Sequence, residues 1–166
     1  MAIHIGLLLY ICILGFIFFY KAISKTRNRY FVIAAFLPIF IIQAVRTLEV
    51  GIDTPAYVRG YFNINTVPSS WEIQNWEKGY VFLNQIIGTI TSNNPHWLLA
   101  VVSALILTGT GYFIIKNTPS FQSTFWPVFF FITLNHYLTS MVSLRQYCAL
   151  SIGINIYTVL NLSLIH

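Results

Sequence analysis

Charge of either sign is scarce in this 166-residue chain, and negative charge is the scarcest. Only 8% of positions are charged, and Asp and Glu together number four. Water-soluble domains carry roughly 25% charged residues. That class is therefore excluded, and 57% hydrophobic residues mark an integral membrane protein. Cysteine is equally sparse: Cys12 and Cys148 sit inside apolar runs with no partner at metal-ligand spacing, so both read as small buried hydrophobes and neither specifies a redox compartment. His4, His96, His136 and His166 form no HExxH or similar pattern. Each reads as an interface or loop residue, and no metal site is expected. There is no glycine-rich phosphate loop, no serine singled out for a Ser-His-Asp arrangement, no internal repeat and no low-complexity segment. Nine basic residues outnumber the acids, but they are scattered apart from one short cluster. With no basic face, nucleic acid is not an expected partner.

What is present is hydrophobic length. A membrane span needs about 20 mostly apolar residues, and five stretches approach it, near 3–20, 30–45, 97–115, 121–138 and 146–165. The fold class expected is all-α, a single polytopic membrane domain over residues 1–166 with an extracytoplasmic helical insertion at 46–96. The first span has nothing basic before it and Lys21, Lys25, Arg27 and Arg29 behind it, the reverse of a cleaved signal peptide. The positive-inside rule places that loop in the cytoplasm and hence the insertion outside. The second span looks short, and Arg46 at its end lengthens it by snorkelling. Gly79 to Ile90 has an apolar run of a length that reads as interfacial or re-entrant. Taken as interfacial, it leaves Arg145, at the start of the fifth span, level with the insertion. Taken as a span, it inverts that parity.

All four acids, Glu49, Asp53, Glu72 and Glu77, fall in the insertion. Asp53 or Thr54 suits the cap of a helix whose first position is Pro55, and Ser69 with Glu72 spells a capping box. Glu77 reads either as a solvated charge or as a functional carboxylate. Arg145 is different, because an ionisable side chain inside an apolar helix costs about 2.5–3.5 kcal/mol at mid-bilayer on insertion scales. Gln146 beside it adds a second polar group. Tyr57, Tyr61, Tyr80, Trp71 and Trp76 are aromatics of the kind that settle at headgroup depth.

Arg46, then Val50-Gly51-Ile52-Asp53-Thr54 with Tyr57, then Glu77-Lys78-Gly79-Tyr80, then Arg145-Gln146, resemble in their order the EpsG family of Wzy-like polysaccharide polymerases. In that family an R, a VGxDxxxY, an ExGF or ExGY and an RQ near the start of a later span recur. The resemblance covers nearly all of this chain but about the first half of a typical member, so the chain is expected to be truncated relative to the family. It implies a multi-pass protein of the bacterial inner membrane that polymerises polyprenyl-diphosphate-linked oligosaccharide repeat units into exopolysaccharide or capsule on the extracytoplasmic side. Membrane lipid and export or chain-length machinery are the further partners it implies.

Such chemistry needs a group to deprotonate an acceptor hydroxyl and cations for a diphosphate leaving group. Asp53 is the leading candidate for the first and Glu77 the second. Arg46 and Arg145 are candidates for the diphosphate, with Gln146, Tyr57 and Tyr80 lining a substrate site. No cofactor is specified. The rival readings are a transporter or flippase for a lipid-linked or anionic solute, and a noncatalytic assembly subunit.

Overall fold

The computed structural model describes residues 2–19, 25–67 and 69–164. Among these the only regular elements are helices, without a strand. The helices are α1 (Ala2–Phe19), α2 (Lys25–Val45), α3 (Thr54–Thr66), α4 (Trp71–Asn75), α5 (Lys78–Thr91), α6 (Pro95–Asn117), α7 (Phe121–Thr133), α8 (His136–Val142) and α9 (Leu144–Leu164). Among the described residues three helices are long and apolar enough to cross a membrane: α1, α2 from Arg27 onward, and α6. The other two expected spans differ in kind. α9 has the length but carries Arg145, Gln146, Ser151, Asn155 and Thr158 along it; its predicted end at Ile165 lies outside the described residues.

The 121–138 segment is not one helix. α7 stops at Thr133, and Asn135 turns the chain with a left-handed backbone, φ 58°, before α8 begins. Asn tolerates that conformation better than other side-chain-bearing residues, so the break needs no glycine. The second span starts earlier than expected, at Lys25, and Arg27 and Arg29 belong to its first turns rather than to a loop. Arg27 lies over the Phe121 ring, 5.0 Å from its centroid. Lys21 lies outside the described residues. Cys148 is buried, but Cys12 is exposed on α1, because a helix facing lipid is apolar on its outer side as well.

The contacts fix the relative directions of the helices. Gly15 meets Phe125 and His4 bonds the Tyr137 hydroxyl, so α1 runs against α7–α8. Phe31 packs on Phe121 and Phe36 on Phe131, so α2 runs with α7. Ser151 Oγ donates to the Leu105 carbonyl and Asn155 Nδ2 to that of Gly109, so α6 and α9 run together. Gly111, late in α6, faces Val32, early in α2, which makes that central pair antiparallel. One end of the bundle therefore gathers the start of α1, the end of α2, the start of α6, α8, the start of α9 and the inserted helices α3–α5. The opposite end gathers the start of α2, the end of α6 and the start of α7.

Two cores follow from this arrangement. Phenylalanines of α2 and α7 interlock with Leu7 and Ile11 of α1 in one. In the other, Tyr57, Tyr61, Tyr80 and Ile87 of the insertion pack on Leu98, Leu99, Val102 and Cys148. α5 spans 14 residues, about 21 Å at 1.5 Å each, which is shorter than the ~30 Å hydrocarbon core. It buries Tyr80, Val81, Asn84, Ile87 and Gly88 against the domain and exposes Phe82, Ile86 and Ile90. That two-faced apolar helix has the pattern of an interfacial element.

Candidate functional site

The N-terminal turn of α9 projects Arg145 toward the insertion. Its Nη1 lies 2.9 Å from Glu77 Oε2, the only ion pair among the described residues. The guanidinium also sits 4.8 Å from the Trp76 ring centroid and 5.8 Å from that of Tyr57. Sixty-eight residues separate the paired charges in sequence. Trp76, Tyr57 and Tyr80 pack on one another edge-on or tilted, with centroids 5.8–6.3 Å apart. They form an aromatic wall, and two of its rings, Trp76 and Tyr57, hold the cation by their faces. Helix α3 brings Tyr57 to the wall; Gly60, one turn further on, lies so close under the Trp76 ring that a β-carbon there would collide with it.

Arg46 occupies a second, adjoining position. Its Nη2 donates to the Met141 carbonyl at 2.7 Å and to Thr54 Oγ1 at 3.3 Å. One turn earlier, Gln43 Nε2 donates to the Tyr137 carbonyl and to Ser140 Oγ. Together they satisfy carbonyls of the short helix α8, including one its own last turn leaves free. Arg46 thus has a structural task that the motif alone did not disclose. Gly51 makes the approach feasible: at φ 102° it lies in a region that side-chain-bearing residues avoid, and a β-carbon would meet Thr54 Oγ1 at 2.9 Å. Burial lowers the pKa of Arg46 to about 10, which leaves it charged at neutral pH.

Several donors at this end lack partners. Arg46 Nε and Nη1, Arg145 Nε and the Tyr80 hydroxyl are buried without a hydrogen bond, as is Asn84 Oδ1. Burial raises the pKa of the Tyr80 phenol, with Tyr57 adding to the shift, so Tyr80 stays a proton donor.

The remaining candidates fall as follows. Asp53 is exposed at the N-cap of α3, but its side chain makes no capping bond there. The carboxylate is not consumed by helix capping. Glu72 does not complete the capping box with Ser69: the cap is Ser70, which accepts from the Ile73 amide, and Glu72 instead accepts from Asn63 Nδ2 at 2.7 Å. Gln146 is exposed. Arg46, Glu77, Arg145, Tyr57 and Tyr80 are brought to one end of the bundle, and Trp76, expected as one of the aromatics at headgroup depth, is central to it. Gln43 was missed, although a polar side chain one turn before Arg46 in an apolar helix was visible as an intramembrane polar group.

Chemically, the arrangement offers a multiply donating cation flanked by aromatic faces, a second cation, one engaged carboxylate and one free one. A model of the EpsG family matches residues 28–161 and so contains every one of these side chains. No curated protein and no solved structure matches the chain.

Proposed function

We propose, from the premise that the chain belongs to the EpsG family, that it acts in exopolysaccharide synthesis by polymerising polyprenyl-diphosphate-linked oligosaccharide repeat units at the extracytoplasmic face of the membrane. One observation carries the reading: three motifs far apart in sequence supply Tyr57, Trp76 with Glu77, and Arg145, and these meet around a single guanidinium. A half-buried arginine at the start of an apolar helix is costly and is a functional candidate by default.

In this reading Arg145 takes the diphosphate. Its bond to Glu77 is replaceable, because Glu77 is 69% exposed and such pairs contribute only about 0–1 kcal/mol. A diphosphate brings more negative charge and accepts the guanidinium fork in bidentate fashion. The acceptor hydroxyl oxygen attacks the anomeric carbon of the donor sugar. The bond from that carbon to the phosphate oxygen breaks, and polyprenyl diphosphate leaves with the electron pair, its charge stabilised by Arg145 and Arg46. The hydroxyl proton passes to a carboxylate: Asp53, whose side chain makes no capping bond, is first choice, and Glu77, released when the diphosphate displaces it, second. Trp76 and Tyr57 offer faces for the sugar rings.

The test is reconstitution of the chain in vesicles with lipid-linked repeat units, followed by sizing of the glycans. Multi-repeat glycans are expected from the native chain, and at least a hundredfold fewer from Arg145→Ala that keeps its helical content. Units carried across the bilayer without lengthening support a transporter instead. Undiminished polymer from Arg145→Ala removes that residue from the site.

A further inference from the structure

At the end of the bundle opposite the candidate site, α2 and α6 leave a groove of about 680 Å³ between them. Its floor is Val32, Phe36, Leu107 and Gly111; its mouth carries two cations, Arg29 and Lys116. Gly111 holds the floor shallow, since a β-carbon there would press on Val32 Cγ1 at 3.1 Å. Both cations are exposed, and Lys116 lies 5.5 Å from the ring centroid of Tyr112 on the groove's rim. All four Asp and Glu side chains belong to residues 49–77, so neither cation has an Asp or Glu side chain at its own end of the bundle. Two other grooves, between α1 and α7 and beside α6 and α9, are comparably apolar, but no charged residue lines either. Charge distinguishes this one.

Its depth also suits a lipid. From Arg29 to Phe40 the groove follows α2 for eleven steps, about 16 Å at 1.5 Å each. That is close to half of a ~30 Å hydrocarbon core, the depth of one leaflet. A transmembrane helix would need the full thickness, whereas a lipid needs half of it and places its head where the chains end. The volume also lies within the range of about 300–1,000 Å³ typical of small-ligand sites.

We infer that the α2–α6 groove binds one anionic phospholipid of the leaflet at the basic end, an acyl chain lying along Phe36 and Gly111 and the head phosphate held between Arg29 and Lys116. By the positive-inside rule that leaflet is the cytoplasmic one. Basic pockets between helices on that side recognise anionic head groups in this way.

Native mass spectrometry of the full chain in detergent, titrated with phosphatidylglycerol, phosphatidylcholine of the same acyl chains, or glycerol phosphate alone, reads the site directly. One phosphatidylglycerol per chain is expected to bind at least tenfold more tightly than phosphatidylcholine, with glycerol phosphate not retained. Arg29→Gln with Lys116→Gln weakens that binding roughly twentyfold to thirtyfold, while Arg59→Gln, an exposed cation at the other end, leaves it unchanged. Thr108→Trp, which fills the groove but keeps both cations, also lowers retention. Equal binding of the two phospholipids, full retention by the double variant, or binding of glycerol phosphate as tightly as of phosphatidylglycerol overturns the inference.

Discussion

At the end of the bundle that holds α3–α5 and α8, Arg46, Arg59, Lys78 and Arg145 are matched by Glu49, Asp53, Glu72 and Glu77. At the other end the described cations include Arg27, Arg29 and Lys116, and none of the four Asp and Glu side chains accompanies them. Four cations and four acids leave the first end neutral though densely charged, while the second is basic. A uniformly basic end orients a membrane protein and attracts anionic head groups. It offers nothing to accept a proton. A neutral end with both signs held close together can bind an anion and deprotonate a neighbour at once, which is what a transfer reaction between a diphosphate and a hydroxyl requires.

The largest effect that separates the ends is all-or-none. In a Cys12→Ser background, Ile52→Cys, at a position 92% exposed, should react with an impermeant maleimide added outside intact cells, and Lys116→Cys only after the membrane is opened. Labelling of both from the same side would break the comparison at its root, since the antiparallel α2–α6 pair could not then span the bilayer. Next in size is Asp53→Asn, which keeps the N-cap position and the shape of the side chain but cannot take a proton. Polymer formation in reconstituted vesicles should fall by roughly a hundredfold to ten-thousandfold, with helical content by circular dichroism unchanged because the native side chain makes no capping bond. If instead Glu77→Gln shows that loss and Asp53→Asn does not, the base is the carboxylate that Arg145 releases.

The long elements were legible because apolar length is a strong signal, and the four motifs were legible as sequence order. That Arg145 would lie level with the insertion was legible as well, once 79–90 is read as interfacial; the individual contacts were not. Nothing in the order of motifs says that Glu77 lies 2.9 Å from Arg145; that follows from the packing of the fourteen-residue α5 on α3 and α6. Local boundaries failed where two residues had equal claims, as with Ser69 and Ser70, or where a turn used Asn135 in place of glycine or proline. Cys12 failed for a more general reason. In water an apolar residue predicts the inside, but a lipid-facing helix is apolar on both faces, and hydrophobicity then carries no information about burial.

A smaller effect probes how tightly the neutral end is assembled. Gly60→Ala gains about 0.8–1.0 kcal/mol of helix propensity but drives a methyl group into the Trp76 ring, and overpacking of this kind costs about 1–3 kcal/mol. The net expectation is a destabilisation of about 1 kcal/mol, read as a fall in melting temperature of about 2–4 °C. Displacement of Trp76 from the Arg145 guanidinium should raise KM for the lipid-linked donor more than it lowers kcat. A variant as stable as the native chain with unaltered KM would mean that the aromatic wall is packing alone.

The smallest expected effect lies at the basic end. Arg27→Gln removes a cation from the opposite end of α2, nineteen residues from Arg46, which at 1.5 Å per residue is about 28 Å. With an effective dielectric of about 20, one unit charge at that distance acts on another with about 0.6 kcal/mol, a factor of roughly three, and screening by salt at either surface lowers this further. Stability should also change little: the variant loses a contact with Phe121 worth about 0.5–1 kcal/mol, but it also removes two buried guanidinium nitrogens, Nε and Nη1, that have no hydrogen-bond partner. Polymerisation in vesicles is therefore expected within threefold of the native rate. A tenfold loss exceeds anything the field of a single distant charge can transmit. It would mean that the packing of α2 against α7 couples the two ends mechanically, and the neutral end could no longer be treated as a site complete in itself.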